Sequence, residues 1–173
     1  MPNDSRPPSG CLAFFLDLFS GGGAGGGGDA SKDDGPWPFA KKDWLLSKAE
    51  FSFFRVLQQA CGERWVVCPK VGMGDLLSIR KGTEKYQSWR NRINRKHIDF
   101  VLCDAETMKI VAAVELDDAS HQGQKAQERD AVKDKACADA GLVLLRFPAR
   151  RAYNIDEVRI QLETGLAQHA PRP

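Results

Sequence analysis

Three carboxylates stand close together around two apolar runs. Asp99 interrupts His97-Ile98-Asp99-Phe100-Val101-Leu102-Cys103. Glu115 and Asp117 close Val111-Ala112-Ala113-Val114-Glu115-Leu116-Asp117, and His121 follows four residues later. Side chains alternate faces along a strand, so Asp99 shares a face with Val101, and Glu115 with Ala113 and Asp117. The polar connection holding Asp104, Glu106, Thr107 and Lys109 predicts a β-hairpin. If its strands pair so that these faces coincide, the three acids converge at one end of a sheet. Carboxylates that close repel one another, and burial raises their pKa further. They then need a cation, either a Lys/Arg or a metal, and oxygen-only donors suit Mg²⁺ or Mn²⁺. The plainer alternatives are acids that open a solvated loop, or an Asp99 that caps a turn or pairs with Arg95.

The same residues carry a resemblance. Asp99, then Glu115-Leu116-Asp117, then His121, resembles the PD-(D/E)XK nuclease superfamily, closest to its very-short-patch-repair-endonuclease-like branch. More narrowly, residues 41–162 look like the bacterial domain-of-unknown-function family numbered 2726, through Lys96–Asp104 and Glu115–His121. The resemblance implies a restriction-endonuclease-like α/β sandwich with a small mixed central sheet. It also implies a metal-dependent phosphodiesterase acting on DNA, with Asp99 and Glu115 holding Mg²⁺ or Mn²⁺, helped by the Leu116 carbonyl. Asp117 would be a further ligand or orient water, and His121 would serve as base or phosphate contact. Glu50 is a further candidate ligand, because the superfamily often places a glutamate on the first helix. The chain departs from the pattern at Asp117, where the superfamily usually has lysine. An aspartate cannot supply that positive charge. Either Lys125, Arg129 or Lys133 reaches in from the next helix, His121 assists, or the site is catalytically dead.

The elements that must position these groups are legible around them. Ser47 followed by Glu50 forms a capping box, with Leu45, Leu46, Ala49, Phe53, Val56, Leu57 and Ala60 at helical spacing and Gly62 as the stop. Residues 64–71 read as a strand ending or bending at Pro69. Residues 72–79 read as a loop with a short helix or extended segment. Residues 80–96 hold Arg80, Lys81, Lys85, Arg90, Arg92, Arg95 and Lys96 against Glu84 alone, with Tyr86 and Trp89 between them. Phosphates attract such a stretch and aromatics stack on bases, although a solvated helix whose aromatics join the core has the same composition. Residues 125–140 read as a helix with Ala126, Val132, Ala136 and Ala140 inward and Lys125, Arg129 and Lys133 along one face. Leu142–Phe147 reads as a buried strand, and residues 155–166 as a last helix followed by a frayed tail at 167–173.

The 173 residues are enough for one core, expected at 41–166, plus a tail. Residues 1–40 carry two cations against five acids, which leaves the remainder at net +5 in a chain of net +2. A basic domain suits a phosphate-bearing partner. Residues 1–10 read as disordered, Cys11–Phe19 as a short apolar run and Gly21–Gly28 as a flexible linker. The apolar run is far below the roughly 20 residues of a membrane helix, and no transmembrane segment or signal peptide is expected. The five scattered cysteines form no CxxC, which speaks against structural zinc and for a reducing, cytoplasmic compartment. No nucleophile elbow appears. Two other functions fit: a catalytically inactive nucleic-acid-binding module on the same fold, and an interaction module docked through Cys11–Phe19.

Overall fold

The computed structural model describes residues 36–117 and 124–169, with backbone alone for 124–129. Cys11–Phe19, the glycine run and His121 lie outside the described residues, and the fold below concerns the unit from Lys41 onward.

Helix α1 (Lys48–Cys61) starts at the expected capping box. The Ser47 N–H donates to Glu50 Oε2 at 2.8 Å and the Glu50 N–H donates to Ser47 Oγ at 3.3 Å. Gly62, at φ 57°, ends it by donating to the Gln58 carbonyl. Leu45 precedes the helix and is exposed, as is Ala49; Phe53, Leu57, Ala60 and Cys61 make the inward face instead. Strand β1 (Trp65–Gly72) does not end at Pro69. It lies at the sheet edge, where a missing N–H costs no ladder bond. Two short helices follow, α2 (Met73–Leu76) and α3 (Tyr86–Ile93). Strands β2 (His97–Asp104) and β3 (Ile110–Asp117) form the expected hairpin. Its turn is held by Asp104 Oδ1, which accepts from the Thr107 N–H and hydroxyl at 2.9 and 2.6 Å. Helix α4 (Gln124–Ala140) leads to β4 (Leu144–Pro148) and α5 (Ile155–Gln168), so the last helix runs past the expected fraying point at Ala167.

The sheet order is β1-β2-β3-β4, antiparallel except for the parallel β3–β4 pair that α4 connects. Two cores cover its faces. Phe53 and Leu57 of α1 and Val158 and Leu162 of α5 pack with Phe100, Leu102, Val114 and Phe147. Met73, Ile93 and Cys137, from α2, α3 and α4, pack with Ile98, Val101 and Ala113. The result is a mixed α/β domain with a four-stranded sheet between helices. Among the described side chains of α4 the buried one is Cys137, while Ala140, expected inward, is exposed.

Cys61, Cys103 and Cys137 are buried, as expected of small hydrophobes, and burial pushes the Cys61 thiol up to about 11. In the native protein at pH 8 these three are expected to resist a thiol reagent that labels half-buried Cys68, and to react together on unfolding in urea. Mass spectrometry of labelled peptides checks this, and early Cys61 labelling would contradict the packing.

Candidate functional site

The hairpin register pairs Phe100 with Val114, which sets Asp99 level with Glu115. The two are tied directly. The Asp99 N–H donates to Glu115 Oε1 at 3.3 Å, and the Leu116 N–H donates to Asp99 Oδ2 at 3.1 Å. The β1–β2 register brackets the same level, with Pro69 opposite Phe100 and Val71 opposite Ile98, so Lys70 stands beside Asp99. Strand alternation breaks here. Ile98 packs in the same core as Val101, Val71 packs against that core too, and Lys70 has φ 55°. That left-handed backbone is unfavourable for a side chain with a Cβ. Lys70 Nζ donates to Asp99 Oδ1 at 3.3 Å and, more closely, to Glu50 Oε1. On the far side of the pair, Lys133 Nζ of α4 donates to Glu115 Oε2 at 2.6 Å.

Glu115 is 5% exposed. Burial pushes its carboxyl above the ordinary range; the Lys133 bond pulls it back and the Asp99 charge pushes it up again. At Glu50 burial also pushes upward, but bonds from Lys70 and Ser47 outweigh it and hold the carboxyl low. Burial works against the Lys70 ammonium, and Glu50 and Asp99 more than restore it. Among the described residues, three acids share two ammonium groups in this cluster, which leaves a single excess negative charge on them.

Of the residues expected to act together, Asp99, Glu115, Glu50 and Lys133 are brought together. Asp117 is not. It is exposed and held by Arg146 Nη1 at 2.6 Å, whose Nη2 donates to Asp134 at 2.7 Å. Arg146 pairs with Glu115 in the parallel register yet spends its charge on these two more exposed acids. The expected three-acid convergence is therefore replaced by a two-acid pair flanked by lysines. Among the described residues no three Asp, Glu, His or Cys side chains gather as a ligand group. Asp99 pairs with Lys70, not with Arg95. Lys125 and Arg129 lie on the backbone-only turns of α4, beyond what the described side chains cover. Arg80, Lys81, Lys85, Arg90, Arg92 and Arg95 are exposed, and Lys96 is half-buried. Lys70 and Arg146 were missed from sequence. The available signal for Lys70 was a lone cation inside an apolar strand.

This centre of three acids and two lysines defines a mixed α/β domain with a charged site gathered from α1, β1, the β2–β3 hairpin and α4. The chain belongs to the family described as protein of unknown function (DUF2726), whose model matches residues 42–165. It is similar to an uncharacterized protein of Haemophilus influenzae, 30% identical over 111 residues, 62% of this chain. The match spans 55% of that relative's length. No solved structure matches the chain significantly. Among the described residues no helix is long and apolar enough to cross a membrane.

Proposed function

We propose that the domain is a metal-dependent phosphodiesterase acting on DNA, a PD-(D/E)XK-type site on a restriction-endonuclease-like form of the α/β sandwich. The observation that carries this reading is Lys133 at 2.6 Å from Glu115 Oε2. The helix after the acids supplies the positive charge that Asp117 cannot. The donors fit Mg²⁺ or Mn²⁺: Asp99, Glu115 and the Leu116 carbonyl offer only oxygens, and Mg²⁺ commonly takes one or two carboxylates plus water. When bound, such an ion polarises phosphate and lowers the pKa of its water. Lys133 would then supply positive charge to the phosphate, Lys70 and the Leu116 N–H fix the Asp99 carboxylate, and the exposed cations of residues 80–96 would hold the nucleic-acid backbone.

The test is Mn²⁺ titration by calorimetry, together with cleavage of supercoiled DNA, in wild type, Asp99→Ala and Glu115→Ala. Saturable binding and cleavage in the wild type, both lost in each variant, are expected. Cleavage unchanged in Asp99→Ala would remove the assignment. A non-catalytic nucleic-acid-binding module is the second reading. It is favoured by the fact that Asp99 and Glu115 are each already paired with a lysine. It gives salt-sensitive DNA binding without turnover.

A further inference from the structure

Helix α3 presents its two aromatics to solvent: Tyr86 is 48% exposed and Trp89 46%. Neither belongs to the second core, to which α3 contributes Ile93. Both were expected to have a core role if the basic stretch were only a solvated helix face, and they lack one. Each walls a separate hollow. Trp89 borders one of about 590 Å³ and Tyr86 one of about 410 Å³, and the two hollows share Leu77, Ile79 and Ile93 as an apolar wall. The Arg92 guanidinium lies over the Trp89 ring, 4.6 Å from its centroid, and Arg90 lines the hollow of Tyr86. Residues 80–96 as a whole carry seven cations against one acid.

A duplex presents phosphates and hides the faces of its bases. A single strand presents phosphates and free base faces together, and exposed aromatics among cations match that combination. The geometry points to α3 and its two hollows as a binding surface for single-stranded DNA. Successive unpaired bases stack on Tyr86 and Trp89, and the neighbouring arginines take the phosphates. The choice of DNA rests on the function proposed above. The surface adds the substrate class, namely DNA that is single-stranded or carries an unpaired arm. The chain runs from the end of α3 at Ile93 through Arg95 and Lys96 into β2, where His97 comes four residues after the helix end and Asp99 six.

The experiment uses the full chain in EDTA, with fluorescein-labelled dT20 and a hairpin duplex as probes, for wild type, Tyr86→Ala and Trp89→Ala. Both positions are exposed, so the variants should keep the wild-type thermal transition. Each should bind dT20 about 10-fold more weakly, with the duplex affinity nearly unchanged. No binding of dT20, equal binding by all three proteins, or an equal loss for dT20 and duplex would each overturn the proposal. Cleavage with Mn²⁺ separates it from the nuclease reading. Duplex cleavage with indifferent aromatics leaves the nuclease and removes this surface. Aromatic-dependent dT20 binding without cleavage of either probe does the reverse.

Discussion

Lys133→Met is expected to destabilise the domain by about 3–5 kcal/mol at neutral pH, the range for breaking a buried ion pair by removing one partner. The pair qualifies, since the Lys133 and Glu115 side chains are only 14% and 6% exposed. The cost arises at Glu115, which stays buried beside Asp99 and loses the ammonium that pairs with it among the described residues. Adding Glu115→Leu should return most of the lost stability, because burying two apolar side chains in place of a buried pair is often neutral or better. Urea unfolding of the two singles and the double closes the cycle. The same proteins read out chemistry. If the proposed function holds, the double variant is folded yet inactive, which separates the catalytic consequence from the structural one. A single variant within 1 kcal/mol of wild type would show that the pair carries little.

The second large effect is at Lys70, where charge and backbone pull in opposite directions. Lys70→Ala removes the cation shared by Glu50 and Asp99 and keeps a side chain at φ 55°. Lys70→Gly removes the same charge and releases the backbone. Loss of hydrogen bonds to charged groups is expected to cost about 1.5–3 kcal/mol in either variant, toward the lower end because the lysine is partly solvated. Glycine should stand above alanine by about 1 kcal/mol. The pH dependence has a definite sign. Glu50 is held low in the folded state, so its contribution is present above the ordinary carboxylate pKa and is lost as pH falls through the folded value. Lys70→Ala should flatten that acid limb. Glu115, shifted the other way, gains over the acid range and cancels in the comparison. Equal stability of the alanine and glycine variants would count against a strained backbone at this residue.

Much of this was legible in the sequence, and the reason is locality. The capping box, the hairpin and the glycine stops are signals within a few residues, and α1, β2, β3, α4 and α5 stand close to where those signals put them. Asp99 and Glu115 belong to one hairpin, and its register sets them level even though alternation breaks beside Asp99. Lys133 was one of three equivalent cations on a helix face, and the docking of α4 is what brings it to Glu115. Lys70 was illegible because its role depends on the β1–β2 register and on a broken alternation, both set by tertiary pairing. Asp117 was misjudged for the converse reason. Alternation gave it the right face, but the parallel strand β4 brings Arg146 alongside and claims it. Composition likewise could not say whether Tyr86 and Trp89 point inward. The contribution of Ile93 to the core answers that.

Glu50 divides its two oxygens: Oε2 closes the cap at the start of α1, and Oε1 takes Lys70. The first turn of that helix therefore shares a partner with the site, 49 positions along the chain from Asp99. Thermodynamic reciprocity follows. Whatever draws Lys70 off Glu50, or competes with it for Asp99, alters the hold on the Ser47 amide by the same free energy that fraying of the helix start returns to the ligand. Hydrogen–deuterium exchange at Ser47 and Glu50 becomes a remote gauge of occupancy at Asp99, readable without a substrate and without turnover.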